Sequence, residues 1–168
     1  KDDHQECDFY VERNCTVAVA FDKSAAETDS MPEWIADFTD TETEIITNEK
    51  NVPLVILTAD CVPVILVDTE NKAVGLAHAG WRGTYGKICE ETLKSMQENY
   101  NTNPENVIAI IGPSIGSCCY EVSYDLIDKF EKLLPNADEK IYEIRDEKYY
   151  LNLWEVNTQI LKEFGVLK

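Results

Sequence analysis

Short apolar segments separated by polar turns run through the middle of the chain. Residues 54–57, 62–67, 73–77 and 107–111 are almost entirely apolar, and polar residues bound each segment. Apolar segments of this length, rich in β-branched residues, are typical of buried β-strands. Weaker patterns predict further strands at residues 15–21, 44–47, 141–144 and 148–151.

Helical periodicity appears in the second half of the chain. Apolar positions recur at helical spacing between residues 85 and 100, and Thr84 is the predicted N-cap of this helix. A second helix is predicted within residues 123–135, where Pro ends it. Asn152 and Glu155 form a capping-box pattern that opens a third helix.

The order of these elements predicts the fold class. Strands outnumber helices in the first half and mix with them later, which favours an α+β (mixed α/β) fold with a central mixed sheet and flanking helices. A length of 168 residues suits one domain, which we assign to residues 1–168. The acidic segment 22–40 is expected to be a long loop or a short helix, placed over a site.

Composition narrows the classes of partner. The formal net charge of −17 argues against nucleic acid and anionic membranes, because like charges repel. No apolar run approaches the ~20 residues of a spanning helix, and the first residues do not resemble a signal peptide. We therefore expect a cytoplasmic protein with reduced cysteines, a monomer or homodimer, that acts on small molecules.

The strongest candidate for chemistry is a thiol and an imidazole on neighbouring strands. Cys61 directly precedes one predicted strand and His78 directly follows the next, and adjacent strands lie only about 4.8 Å apart. Such a pair can bind zinc or copper, or can act as nucleophile and base. A small buried Cys and a hydrogen-bonded core His would also fit the pattern.

Two other segments offer ligand contacts. Arg82 follows Gly80 and Trp81 just before a predicted helix, where a guanidinium and backbone amides suit a phosphate. An ion pair with a nearby carboxylate fits Arg82 equally well. Ser114 lies in the loop 112–116, whose N–H groups are expected to point outward towards a ligand. The adjacent side chains of the Cys118–Cys119 pair are expected to point apart, so they do not form a metal site by themselves.

Three phrases carry a family resemblance. TADCVPVILVD, VGLAHAGWRGT and IGPSIGSCCYEV, in this order, resemble the laccase-domain family of multicopper-polyphenol-oxidase-like proteins, also described as a purine nucleoside phosphorylase and adenosine deaminase family. The resemblance covers about residues 45–165. It implies a zinc site, with copper as the other candidate, built from one Cys and two His residues. Cys61 and His78 match two of these ligands.

The same resemblance has two further implications. The segment that contains Cys119 and Tyr120 borders the active site in the family, so both residues are candidate substrate contacts. The family's upstream His has no counterpart before the strand at residue 16, and the only other histidine is His4. The resemblance therefore implies an incomplete family domain.

The resemblance also implies a reaction. It is phosphorolysis of adenosine or inosine to the free base and ribose 1-phosphate, with adenosine deamination as a second activity. Cys61, His78 and Arg82 are the expected catalytic residues, with Arg82 also binding phosphate. Three alternatives stay open: a copper-dependent polyphenol oxidase, a cysteine hydrolase that uses Cys61 and His78, and an inactive binding domain that lacks the third metal ligand.

Overall fold

A four-stranded antiparallel sheet forms the centre of the fold. The computed structural model describes residues 15–19, 44–137 and 141–167. The central sheet has the strand order β2-β5-β4-β6, and a separate ribbon pairs β1 with β3. These strands are β1 (Cys15–Val19), β2 (Glu44–Thr47), β3 (Leu54–Thr58), β4 (Val62–Asp68), β5 (Ala73–Ala79) and β6 (Val107–Ile111).

Helices and a small third sheet complete the described structure. The helices are α1 (Trp81–Tyr85), α2 (Ile88–Tyr100), α3 (Tyr124–Leu133) and α4 (Leu153–Phe164). The third sheet has the order β7-β9-β8. Its strands are β7 (Glu121–Val122), β8 (Tyr142–Arg145) and β9 (Lys148–Leu151). None of the described helices is both long and apolar enough to cross a membrane.

Both faces of the central sheet are buried. One face packs against α2 and α4 through alternate residues such as Val62, Val64 and Ala77. The other face packs against β3 and includes Val74 and Leu76. This double burial explains why β4 and β5 are nearly continuous apolar runs without an alternating pattern.

Close packing of α2 on β5 depends on Gly75. A Cβ atom at this position would lie 2.7 Å from Thr92 Cγ2 and 2.9 Å from Met96 Sδ. Both distances are shorter than any normal carbon or sulfur contact, so a larger residue would push the helix away from the sheet. Gly75 therefore allows α2 to pack closely on β5.

The predicted α+β class is confirmed, with three corrections in detail. The described strand pairings are all antiparallel, so the central sheet is not mixed. β5 continues two residues beyond the predicted end and includes His78. Thr84 does not cap a helix, because it is buried inside α1, and α2 begins only at Ile88. The segment 22–40 and the end of the strand predicted at 15–21 lie outside the described residues.

The capping prediction for the last helix is confirmed. The Asn152 side chain accepts a hydrogen bond from the Glu155 amide at 3.1 Å. Gly165 ends α4 with a φ angle of 109°, in the left-handed region that favours glycine. These local signals place α4 correctly, and α4 supports the site described next.

Candidate functional site

Cys61 and His78 lie at the same end of the central sheet. In the antiparallel register, Val62 faces Ala79 and Pro63 faces His78. Cys61 directly precedes β4, outside its ladder, so the register places it at the same end of the sheet as His78. His78 belongs to the face that β3 covers, whereas the helices cover the opposite face.

His78 is buried without a hydrogen-bond partner. Its side chain is 6% exposed. Among the described residues, neither Nδ1 nor Nε2 has a partner. Burial lowers the pKa of His78 below its ordinary value, so the ring is neutral at neutral pH. Unpaired buried nitrogens are costly, and a neutral imidazole is the form that binds metals.

Thr58 lies in the same layer and was not singled out by the sequence patterns. It is the last residue of β3, is 2% exposed, and its Oγ1 is also buried without a partner among the described residues. Only the packing of β3 over the sheet shows that this hydroxyl is enclosed. A second unpaired polar atom at this end of the sheet makes a dry, purely structural packing role less favourable.

The Cys61 thiol is half-buried and stays protonated at neutral pH in the absence of a cation. Burial raises the pKa of this thiol, and the neighbouring Asp60 carboxylate raises it further. Reactive catalytic cysteines have the opposite property, a lowered pKa. A bound metal ion would lower the pKa of the Cys61 thiol instead, because a coordinating thiol loses its proton.

The chemistry of these two residues fits a zinc or copper ion. One thiol and one imidazole with unpaired nitrogens are suitable donors for either metal. In residues 44–137 and 141–167, no group of three or more His, Cys, Asp or Glu side chains is arranged to hold a metal. Among the described residues, Cys61 and His78 are therefore candidate ligands only, and they do not make up a complete metal site by themselves.

The loop after β6 packs over the start of β4. The Gly112 amide donates to the Pro63 carbonyl at 2.8 Å, and the Ile115 amide donates to the Asp60 carbonyl at 3.0 Å. These two N–H groups are therefore occupied, unlike the outward-pointing amides predicted for this loop. A Cβ atom on Gly112 would lie 2.8 Å from Pro63 Cγ, so the loop approaches the strand as closely as glycine allows.

Ser114 is buried in this loop and is already hydrogen-bonded. Its hydroxyl donates to the Gly112 carbonyl at 3.2 Å and accepts from Trp154 Nε1 at 2.6 Å. The donor of this hydroxyl is therefore used, but its oxygen can still accept one further hydrogen bond from a substrate. The role of Ser114 in binding stays a prediction. The structure shows directly that Ser114 orients the indole of Trp154.

Tyr120 lies close to both Cys61 and Arg82. It is half-buried, and burial raises the pKa of its phenol above the ordinary value. The charge of Cys61 raises this pKa further, whereas the Arg82 guanidinium lowers it in part. Tyr120 therefore lies within electrostatic range of one candidate metal ligand, Cys61, and of the candidate phosphate ligand, Arg82.

Arg82 lies over the indole of its neighbour. The guanidinium carbon is 4.4 Å from the centre of the Trp81 ring, and no described carboxylate pairs with it. The ion pair considered from the sequence is therefore not formed by the described residues. Arg82 lies in the first turn of α1, not before a helix as predicted.

Cys118 and Cys119 approach each other at the exposed end of the same loop. Their Sγ atoms are 3.2 Å apart. The expectation that these adjacent side chains point apart is therefore wrong. The proposed contact between Cys119 and a substrate stays a prediction.

A buried polar network supports the site from the helical side. Asn157 on α4 donates through Nδ2 to Thr84 Oγ1 at 3.1 Å and to the Leu153 carbonyl at 2.8 Å. Its Oδ1 accepts from Cys89 Sγ at 3.4 Å. The Thr84 hydroxyl in turn donates to the Ala79 carbonyl at 3.1 Å. The network thus joins α4, α1, α2 and the end of β5.

Known proteins share both the sequence and the fold. The chain is 41% identical over 122 residues to "Purine nucleoside phosphorylase YlmD" of Bacillus subtilis, covering 73% of this chain and 44% of that protein. It is 40% identical over 125 residues to a purine nucleoside phosphorylase of Bacteroides thetaiotaomicron, covering 73% and 46%. The crystal structure of YlmD from Geobacillus stearothermophilus matches with a TM-score of 0.69 and 36% identity, covering 74% and 47%.

The chain spans less than half the length of these relatives. The sequence profile described as "Multi-copper polyphenol oxidoreductase laccase" matches residues 12–168. The match covers nearly the whole chain and includes every candidate residue of the site. The chain therefore belongs to the multi-copper polyphenol oxidoreductase laccase family.

Proposed function

We propose that this chain is part of a metal-dependent purine nucleoside phosphorylase that converts adenosine or inosine and phosphate to the free base and ribose 1-phosphate. The observation that carries the proposal is the neighbourhood of two groups. His78 is buried with two unpaired ring nitrogens, and Arg82, four residues later, has no described carboxylate partner. The names of the relatives support the same reaction.

The reaction sets the tasks of the residues. The bond between C1′ of ribose and the purine nitrogen breaks, and its electron pair leaves with the base, which takes up a proton. A bond forms between C1′ and a phosphate oxygen. Arg82 binds the phosphate with its planar donor fork. Tyr120 keeps its proton because its pKa is raised, so it donates a hydrogen bond to an acceptor of the bound substrate.

Cys61 and His78 are the residues that would hold the metal. When bound, zinc would supply Lewis-acid stabilisation of negative charge or lower the pKa of a water molecule. The second of these properties supports adenosine deamination as a further activity of the same site. Copper is the alternative metal, because imidazole and thiolate suit both ions.

Two other functions are less favoured. A cysteine hydrolase needs a thiolate, and the raised pKa of Cys61 opposes its formation next to the neutral His78. A multicopper oxidase needs many His ligands, whereas the chain contains 2 histidines. An inactive binding domain remains the main rival, because the described residues provide two metal ligands.

One experiment tests the proposal against this rival. The zinc-loaded protein is incubated with inosine and phosphate, and hypoxanthine release is followed together with zinc content. We expect about one zinc per chain and phosphate-dependent hypoxanthine release. Cys61→Ser and His78→Ala should lose both zinc and activity, whereas Cys89→Ser, on the opposite face of the sheet, should keep the zinc. A zinc-loaded protein with no hypoxanthine release would refute the proposal.

A further inference from the structure

A second cation besides Arg82, Lys129, lies near the indole ring of Trp81. The Arg82 guanidinium carbon lies 4.4 Å from the centre of the indole ring, and Lys129 Nζ lies 5.7 Å from the same centre. The two positive groups are therefore at most about 10 Å apart, which is about one Debye length at 0.1 M salt. Both distances are within the roughly 6 Å at which a cation is attracted to an indole ring.

Lys129 does not form the ion pair that its helix offers. Asp125 precedes it by four residues, the spacing at which carboxylates and lysines pair along a helix. On the same helix, Lys132 makes this kind of pair with Asp128 at 2.6 Å. In the described part of the chain, no carboxylate pairs with Lys129 or Arg82.

Two unpaired cations side by side are informative in so acidic a protein. The chain has 32 Asp and Glu residues against 15 Lys and Arg residues. On a surface with this excess of carboxylates, two cations beside one indole provide positive charge that an anion can meet. Anions in solution would therefore be directed to this place rather than to the surface as a whole.

The two elements that carry the cations are held together firmly. Trp81 is half-buried and packs against the main hydrophobic core. Tyr85 on α1 makes an edge contact with Phe130 on α3, with ring centres 5.9 Å apart and an interplanar angle of 87°. Since Phe130 is fully buried and follows Lys129 directly, the start of the lysine side chain has a fixed position relative to α1.

We propose that Arg82 and Lys129, supported by Trp81, form a two-cation site for a phosphate-class dianion, with Lys129 as a second phosphate ligand. Arg82 supplies paired donors to two oxygens, and Lys129 supplies a flexible point charge. The identification of this anion as the co-substrate rests on the proposed function. Anion binding itself does not, and it can be measured without any nucleoside.

The experiment compares three variants with the unmodified chain. Lys129→Met removes the charge but keeps an unbranched apolar stem, and Lys129→Arg keeps the charge. Lys162→Met removes one charge from the last turn of α4, away from Trp81, as a control for net charge. Binding of inorganic phosphate is measured by ³¹P NMR line broadening at constant ionic strength, and the KM for phosphate is measured in inosine phosphorolysis. Thermal unfolding checks that each variant is folded.

We expect Lys129→Met to weaken phosphate binding and to raise the KM for phosphate about fivefold, the factor given by one exposed contact between unit charges in water. The kcat at saturating phosphate and the KM for inosine should stay within about twofold, because the proposed contact of Lys129 is with phosphate and not with the nucleoside. Lys129→Arg should restore phosphate binding, and Lys162→Met should leave it unchanged.

Two results would overturn the inference. One is phosphate binding that is absent from the unmodified chain or unaffected by Lys129→Met. The other is an equal loss in Lys129→Met and Lys162→Met, which would indicate net charge alone. If the unmodified chain binds phosphate through Lys129 but releases no hypoxanthine, the anion site stands and only the proposed reaction fails.

Discussion

Replacing Asn157 with leucine should destabilise the protein chiefly by removing buried hydrogen bonds. The side chain is fully buried, and leucine has the same branching and the same number of heavy atoms, with methyl groups bulkier than the amide nitrogen and oxygen. The substitution therefore leaves no cavity and introduces no charge. It removes the bonds from Asn157 to the Thr84 hydroxyl, the Leu153 carbonyl and the Cys89 thiol.

The structure gives the size of the effect. Two of the lost bonds are N–H to oxygen contacts of 3.1 and 2.8 Å, each worth about 1 kcal/mol net. The thiol contact at 3.4 Å adds little, because S–H is a weak donor. Thr84 keeps its bond to the Ala79 carbonyl, so it is not left without a partner. The sum is about 2 kcal/mol, or about 4–8 °C in Tm for a domain of this length.

Thermal unfolding followed by circular dichroism measures this loss, with the metal content kept constant. Asn99→Leu is the matched control, because Asn99 also donates to a carbonyl on its helix, at 2.8 Å, but is exposed. Exposed substitutions of this kind usually change the stability by less than about 0.5 kcal/mol. If the two variants unfold at the same temperature, the buried network contributes nothing, and the reasoning is wrong.

Three further predictions concern the loop, the thiols and the last helix. Gly112→Ala places a Cβ atom 2.8 Å from Pro63 Cγ, and the overpacking should cost about 1–3 kcal/mol; an unchanged Tm would contradict this. Burial raises the pKa of Cys89 to about 12, so iodoacetamide should label the half-buried Cys61 and leave Cys89 unmodified in the folded protein. Equal labelling of Cys61 and Cys89, measured by peptide mass spectrometry, would contradict this prediction. Asn152→Ala removes the N-cap of α4 and should lower the stability by about 1 kcal/mol in thermal unfolding; a neutral result would mean that the cap is dispensable.

Much of the site could be predicted because its residues lie close together in the sequence. Cys61 directly precedes β4 and His78 stands on β5, and a tight turn joins these strands, so their pairing brings both residues to one end of the sheet. Their chemical types then suggest a metal ligand pair. The face on which His78 lies could not be predicted. Every residue of β5 is buried, and without alternation a strand does not show which side faces which layer.

The supporting residues were beyond the reach of sequence patterns. Thr84 was predicted as a helix cap because threonine often has that role, but its hydroxyl bonds to Asn157, 73 residues away. Trp154 bonds to Ser114 across 40 residues of sequence. The sequence does not distinguish Lys129 from other exposed helical lysines, because its closeness to Trp81 depends on how α3 packs against α1.

The amino-acid sequence by itself determined most of the strands, the three longer helices and the capping of α4, but not α1 or β7, because the former depend on spacing and side-chain types within a few residues. It also determined the chemical identity of the thiol, the imidazole and the guanidinium. Only the tertiary structure decided that His78 is enclosed without partners, that Ser114 is occupied, and that Lys129 shares an indole with Arg82. These properties depend on residues that are distant along the chain, and local patterns do not record which distant residues meet.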